Sequence, residues 1–280
     1  MFDPFKDFDV NGYLRNVRKD KDEDVIKQFE HNLFRANLEE ALSFLASKKY
    51  LEYTDFLSVH KILFSAYYPW AGTDRSVTMP NHAVVKGPVI FCHPNYSRRA
   101  VEFALSIGQN KLEMEKRPGE VMGLFAYGHP FLDGNGRTML LVHMELAYRA
   151  GFSTAWADTK KNDYLDALSR EIESPGRGIL DEYLLAFKGP RANRDKWGTS
   201  LRAMKGLDGL DDMNQIEGVL SDPSVAQKYR DFEQKRNYQY KVLKSDPRPQ
   251  IGSMELCQQC KKAPCECGRH TESSTTRPRM

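Results

Sequence analysis

Apolar residues recur every three or four positions along most of the first 190 residues, a spacing that predicts a mainly α-helical protein. The clearest case is the segment 23–47, where the spacing is kept by Val25, Ile26, Phe29, Leu33, Leu38, Leu42 and Leu45. A second helix is predicted from Thr54, as N-cap, to beyond Leu63, and it should end before Pro69. Further helical patterns lie at about 97–112, 120–127, 137–150, 161–173 and 180–187.

The pattern changes between Gly72 and His93, where short β-prone pieces alternate with turn residues. These pieces are 76–79, 83–85 and 88–91. Short strands broken by Pro, Asn and Gly are typical of a hairpin. We therefore predict a small β-hairpin, or flap, over about residues 75–91.

Helical periodicity weakens after residue 190 and returns only as a charged helix predicted at about 224–244. We predict four units: a helical domain at 20–190, a helical or linker extension at 191–252, a cysteine-rich tail at 253–270 and a disordered tail at 271–280. The last of these has too few apolar residues to order itself.

Composition and charge narrow the class of protein. Of the 280 residues 40% are hydrophobic, enough for a buried core without disulfides or metals. The 41 Lys and Arg residues against 38 Asp and Glu residues give no support to a dedicated nucleic-acid binder. No apolar run is long enough to span a membrane, and the N-terminus does not resemble a secretory signal. We expect a cytosolic protein, or one delivered into another cell's cytosol by a dedicated machine.

The residues that carry chemistry lie at 129–137, between two predicted helices, and read HPFLDGNGR. Pro130 prevents the preceding helix from continuing, so His129 should project into a loop. The sequence Gly134-Asn135-Gly136 allows backbone N–H groups to converge on an anion at the start of the next helix. Arg137 adds a guanidinium suited to phosphate, and Asp133 is an oxygen ligand suited to Mg²⁺.

This run resembles the signature of the Fic family, His-x-Phe-x-Asp/Glu-Gly-Asn-Gly-Arg-x-x-Arg, at every defined position except the last. The segment Trp70–Arg75 resembles the Trp-Ala-Gly-x-x-Arg sequence that leads into the family's flap. Resemblance covers about residues 25–188 and implies a Fic-type helical bundle with a small β-hairpin flap.

The resemblance implies a nucleotidyltransferase that moves AMP from ATP to a Ser, Thr or Tyr hydroxyl of a target protein and releases pyrophosphate. His129 is then the general base, and Asp133 holds Mg²⁺. Gly134, Asn135, Gly136 and Arg137 bind the phosphates of the nucleotide. The target protein would dock along the flap, about residues 75–91, as an added strand. A separate antitoxin or regulator is a further partner that we consider, and the chain would act as a toxin or as an effector.

Leu140 stands where the family signature has its second arginine. Losing one charged hydrogen bond costs about 1.5–3 kcal/mol, which weakens or redirects a reaction without abolishing it. The alternatives are therefore transfer of UMP, phosphate or phosphocholine, or a catalytically weak domain that serves as an interaction module. Without that arginine we also expect no internal inhibitory glutamate.

A second candidate site lies in the tail, where Cys257, Cys260, Cys265 and Cys267 fall within eleven residues. Four thiolates satisfy a tetrahedral Zn²⁺ and leave no open coordination position. The spacing is tighter than in a common zinc ribbon. We predict either a structural zinc knuckle or a thiol-rich tail without metal.

Overall fold

A computed structural model describes residues 2–204, 206–207, 214–240 and 260–262 of the chain. Within these residues the fold is mainly α-helical with a small antiparallel sheet, as the sequence predicts. The helices in chain order are α1 (Phe8–Asn11), α2 (Glu23–Ala46), α3 (Tyr53–Phe64), α4 (Arg75–Thr78), α5 (Pro94–Gly108), α6 (Lys111–Lys116), α7 (Pro118–Gly128), α8 (Asn135–Ala150), α9 (Lys161–Glu173), α10 (Ile179–Ala186), α11 (Trp197–Ala203) and α12 (Pro223–Arg236). The strands are β1 (His82–Lys86), β2 (Val89–Ile90), β3 (Phe152–Thr154), β4 (Lys188–Pro190) and β5 (Gln215–Val219). None of the described helices combines the length and the apolar character needed to span a membrane.

Helices α7 and α8 form the centre of the fold. Every residue of α7 is buried, and so is every residue of α8 except Gly136 and Met144. Helices α2, α3, α5, α9 and α10 pack around this pair. The six-residue loop that joins α7 to α8, residues 129–134, therefore begins and ends in a packed core and has little freedom to move.

Local capping explains where the predicted helix boundaries are right and where they are wrong. Helix α8 ends at Gly151, which adopts the predicted left-handed conformation with φ 102°. The predicted N-cap Thr54 is wrong, because Glu52 caps α3 and its own N–H donates to the carboxylate of Asp55 at 2.9 Å. Helix α5 begins earlier than predicted, at Pro94, because the ring of His93 accepts the N–H of Asn95.

The flap differs from the prediction at its start. Residues 76–79 were predicted as a β-prone piece, but they belong to or follow the short helix α4, whose first turn is capped by the carboxylate of Asp74. The hairpin itself consists of β1 and β2, paired with Lys86 opposite Val89. A strong helix cap thus overrides the β preference of Val77 and Thr78.

The extension after residue 190 completes the flap. Strand β5 pairs antiparallel with β1, which places β1 in the middle of a sheet with the order β2-β1-β5. Helix α12 ends at Arg236 instead of near residue 244, because Asn237 turns left-handed with φ 45°. Residues before the predicted domain start at 20 also pack into the core, and Leu14 accepts the indole N–H of Trp70 at 2.8 Å.

The predicted unit boundaries remain predictions. Of the predicted tail at 253–270 the structure describes residues 260–262, and the segment 271–280 lies outside the described residues.

A buried ion cluster connects the extension to α8. Glu145 of α8 is fully buried, and Arg149 donates to one of its carboxylate oxygens at 2.6 Å. Arg194, which precedes α11, donates to both oxygens of the same carboxylate, at 2.5 and 3.1 Å. Bidentate pairs of this kind are stronger than exposed ion pairs because their geometry is fixed and solvent is excluded.

We expect Arg194→Ala to lower the free energy of unfolding by about 2 kcal/mol, because it removes charged hydrogen bonds from a buried carboxylate. Urea unfolding followed by circular dichroism measures the change. Arg202→Ala is the control, because Arg202 of α11 pairs at 2.9 Å with the largely exposed Glu39 and should cost less than about 1 kcal/mol. Equal effects of the two substitutions would contradict this account.

Candidate active site

His129 occupies a constrained backbone position at the end of α7. Its φ of 42° and ψ of 56° are left-handed, which is uncommon for a residue with a side chain. The buried Arg75 holds this turn: its Nε donates to the carbonyl of His129 at 3.1 Å, and its backbone N–H donates to the carbonyl of Pro130 at 2.6 Å. Local strain persists where surrounding contacts enforce it, and such positions cluster at functional sites.

The ring of His129 lines a cavity, as a general base must. It stacks on Phe91 with 3.7 Å between ring centroids, which fixes its plane. The amide nitrogen of Asn135 lies 3.2 Å from Nε2, and because an amide NH₂ only donates, Nε2 is the unprotonated nitrogen and accepts this hydrogen bond. Burial, together with the positive charges of Arg75 and Lys86, holds the pKa of His129 well below its usual value. The imidazole is therefore neutral at neutral pH.

Two buried aromatic rings anchor the loop beneath His129. Phe131 is fully buried and stacks on the ring of His60, with 3.7 Å between ring centroids. His60 accepts the N–H of Gly72 at Nδ1, so its Nε2 donates to the carbonyl of Asp133 at 2.9 Å. Burial lowers the pKa of His60 to about 3, which keeps the ring neutral in this bridge. His60 is thus a core residue, and it positions the loop.

Asn135 closes the same loop from the other side. Its side-chain oxygen accepts the N–H of Phe131 at 3.0 Å, and its amide nitrogen donates to the carbonyl of Phe131 at 2.8 Å. The side chain of Asn135 therefore holds the loop, while its backbone N–H lies in the first turn of α8 with those of Gly136 and Arg137.

The two glycines of the motif have different reasons to be glycine. Gly134 has φ 75°, and a Cβ there would lie 2.6 Å from the ring of Phe64, so the fold itself requires glycine. A Cβ on Gly136 would meet no protein atom within 4 Å. Gly136 lines the cavity. Because it has no side chain, there is space for a ligand at the N-terminus of α8.

Positive charge predominates around this cavity. The charged residues that line it are one acid, Asp133, and four bases: Lys27, Lys86, Arg137 and Lys161. Leu140 also lines it, at the place of the second signature arginine. A concave, cationic surface at a helix N-terminus binds anions, and phosphate groups above all.

Among the described residues, one terminal nitrogen of Arg137 has a partner and the other has none. Its Nη2 lies 2.8 Å from the carboxylate of the fully buried Glu30, in α2. Its Nη1 is buried and has no hydrogen-bond partner among the described residues. A buried donor without a partner is costly, and an oxygen of a bound phosphate would satisfy it.

Asp133 is surrounded by donors. The ammonium of Lys27 lies 2.8 Å from Oδ2, the hydroxyl of Tyr13 donates to the same oxygen at 3.3 Å, and Gly134 N–H donates to Oδ1 at 2.6 Å. Burial opposes ionisation, but the charges of Lys27 and Arg137 keep the pKa of Asp133 below its usual range. Both oxygens are thus engaged, and the adjacent ammonium repels a cation. The arrangement does not fit the predicted role of Asp133 as a Mg²⁺ ligand.

The cysteine-rich site falls mostly outside the described residues, which include Cys260 but not Cys257, Cys265 or Cys267. Across the described ranges no group of three or more His, Cys, Asp or Glu residues is arranged to hold a metal ion. The zinc knuckle stays a prediction.

Sequence reasoning missed Lys27 and Glu30. A signal was present: both lie on the face of α2 that continues through Phe34, Leu38 and Ala41 into the core. Charged residues on a buried helix face need partners of opposite charge. Their partners, Asp133 and Arg137, are more than 100 positions away in the chain, so periodicity alone could not identify them.

Comparisons with known proteins agree with the motif. The Fic/DOC family pattern matches residues 50–147. A probable protein adenylyltransferase, y4lH, from Sinorhizobium fredii is 27% identical over 168 residues, which cover 57% of this chain and 83% of that protein. The protein adenylyltransferase VbhT from Bartonella schoenbuchensis is 30% identical over 113 residues, 38% of this chain but only 23% of VbhT.

A solved structure shows the same fold. The BepC protein of Bartonella tribocorum, a VirB-translocated effector crystallised with AMPPNP, superposes with a TM-score of 0.51 at 17% identity and covers 63% of this chain and 92% of BepC. Residues 50–147, which match the family pattern, contain α7, most of α8 and the loop between them, with the complete run from His129 to Arg137. The run from His129 to Arg137 therefore lies in a segment, residues 50–147, that matches the Fic/DOC family.

Proposed function

We propose that this protein transfers AMP from ATP to a hydroxyl side chain of a target protein. The observation that carries the proposal is the position of His129: a neutral imidazole lines the same cationic cavity that is open at the N-terminus of α8. A base next to an anion site is what attack on a phosphate requires. The names of the two curated relatives, both protein adenylyltransferases, support AMP as the transferred group.

The proposed transfer forms one bond to the α-phosphorus of ATP and breaks another. Nε2 of His129 exchanges the hydrogen bond from Asn135 for one from the target hydroxyl and takes its proton, and the hydroxyl oxygen forms a bond to the α-phosphorus of ATP. The bond from the α-phosphorus to the oxygen that bridges to the β-phosphorus breaks. Pyrophosphate leaves with that oxygen, and AMP remains esterified to the target.

The N-terminus of α8 and Arg137 would hold the phosphates. The open face of Gly136 allows a phosphate oxygen to approach the backbone N–H groups, and Nη1 of Arg137 supplies a donor. The magnesium ion expected at Asp133 does not enter this proposal, because Lys27 already pairs with that carboxylate.

The target would dock on the flap at the edge formed by β2. Target pairing along the flap was expected, but β5 of this chain already covers the β1 edge. In the described part of the sheet β2 is the other edge strand, and Val89 of β2 lines the cavity. An extended target segment added there would lie beside His129.

Leu140 favours a second candidate, transfer of a different group such as UMP, phosphate or phosphocholine. An apolar side chain replaces an arginine in the cavity wall, which alters how the far phosphates are held. BepC is a translocated effector, which supports delivery of this protein into another cell's cytosol. A separate regulator remains part of the proposal.

Transfer is tested by incubating the chain with ATP labelled at the α-phosphate and a lysate of candidate target cells. We expect label on protein, and His129→Ala should reduce it by about 10²–10⁴-fold while nucleotide binding persists. The same incubation with UTP, with ATP labelled at the γ-phosphate and with a choline-bearing nucleotide separates the donors. Nucleotide binding without transfer from any donor would overturn the proposal in favour of an interaction module.

Gly136→Ala should leave the fold intact and weaken ATP binding by at least about tenfold. The added methyl meets no protein atom but occupies the space through which a phosphate reaches the helix N-terminus. Calorimetric titration measures affinity, and thermal unfolding measures stability. Gly134→Ala is the matched control, expected to lose about 2 kcal/mol of stability because of its positive φ and the contact with Phe64. Undiminished binding by Gly136→Ala would contradict the proposed phosphate site.

On the acid side of its pH profile, the rate of transfer should fall only at a pH well below 6.5. Since the pKa of His129 is held well below 6.5, the fraction of neutral base stays high as the pH falls through 6.5. We expect kcat/KM to change little as the pH falls from about 7.5 to about 6.5, the ordinary pKa of histidine. A profile of initial rates in buffers of constant ionic strength checks this. A half-maximal rate at or above pH 6.5 would contradict the electrostatic account of His129.

A further inference from the structure

Four charged side chains form a closed cluster between α2 and the active-site loop. Lys27 contacts Asp133 at 2.8 Å and Glu30 at 3.6 Å. Arg137 contacts Glu30 at 2.8 Å and Asp133 at 3.8 Å. Each cation therefore touches both carboxylates. The side chains of Lys27 and Glu30 are 2% and 0% exposed, so water contributes little to the balance.

The charges of this cluster cancel. Two carboxylates face one ammonium and one guanidinium, and no negative charge of the cluster is left over to attract a divalent cation. Without Lys27, the cluster would have a net charge of −1 and an open carboxylate. Because Mg²⁺ demands near-octahedral oxygen ligands at 2.0–2.1 Å, it could reach Asp133 only if Lys27 left its position.

Lys27 is also placed to act on a ligand. It lines the same cavity as Gly136 and Arg137. A lysine ammonium has three donors, and phosphate recognition by a lysine that acts as a point charge is common. The cavity has Leu140 in place of one arginine, and Lys27 supplies a hydrogen-bond donor from α2.

We propose that Lys27 takes the place of a divalent cation in this active site: its ammonium binds Asp133 and donates its remaining N–H to a nucleotide phosphate, so that nucleotide binding does not depend on metal. This inference rests on the proposed function, since it assumes that the cavity binds a nucleoside triphosphate. It assigns Lys27 as a binding residue and Asp133 as the residue that positions it.

The test measures binding of α,β-methylene ATP, whose α–β linkage cannot be broken, to the full chain by calorimetry. One titration contains EDTA and the other contains excess Mg²⁺. We expect dissociation constants that agree within about threefold, whereas a site that bridges a metal to phosphate would bind at least about tenfold more tightly with Mg²⁺. This comparison uses the unaltered protein and does not depend on the folding of any variant.

Variants of Lys27 give a second readout. Lys27→Gln keeps a donor for Asp133 but removes the charge, and it should weaken binding in EDTA by about 10- to 100-fold. Excess Mg²⁺ should then restore part of the affinity, because Asp133 is free to accept the ion. Titration with Mn²⁺, followed by water-proton relaxation, should show a bound ion in Lys27→Gln with the nucleotide and little in the unaltered chain. Lys116→Ala, on an exposed position of α6, is the control and should change none of these quantities.

The possible failures are distinguishable. Tight binding by the unaltered chain only in the presence of Mg²⁺ would overturn the role of Lys27 and leave the proposed function standing. Equal binding by Lys27→Gln and the unaltered chain in EDTA would also overturn it. Absence of binding under both conditions would overturn the proposed function and this inference together.

Discussion

The active site depends on one buried guanidinium, that of Arg75, which holds the turn at the end of α7. By contacting the carbonyl of His129 through its side chain and that of Pro130 through its backbone, Arg75 stabilises a left-handed residue that would otherwise be strained. This turn fixes the plane of the imidazole against Phe91 and leads to Gly134, the N-cap of α8. The proposed base and the proposed anion site are thereby fixed relative to each other, which would lower the entropy cost of the proposed reaction.

Electrostatics then decides how the site is used. Four charges are buried together near the loop, an arrangement that is costly unless each group has partners. Here Lys27 and Arg137 both touch Asp133 and Glu30, so the cost is offset within the cluster and the site keeps a defined shape. The carboxylate of Asp133, which was expected to hold a metal, is already paired with Lys27. The residues of the motif therefore lie in a different electrostatic setting from the one that the sequence predicts.

The flap is shaped by a segment outside the residues that match the family pattern. Strand β5 follows α11 in the chain and adds to β1, and Asn214, just before it, donates to the carbonyl of Leu132 in the active-site loop at 3.0 Å. The extension thus covers one edge of the sheet and touches the loop as well. An exposed strand edge invites pairing with other chains, and covering one edge restricts where such pairing occurs.

The sequence by itself determined the helices with strong periodicity, the turn glycine at 151, the hairpin and the nine-residue motif, because these depend on spacing and on residues close together in the chain. Tertiary structure alone decided that Lys27 and Glu30 meet Asp133 and Arg137, and that β5 completes the flap. Contacts between distant positions depend on how the helices pack, and a hydrophobic pattern specifies only which face is buried, not which residue it will face.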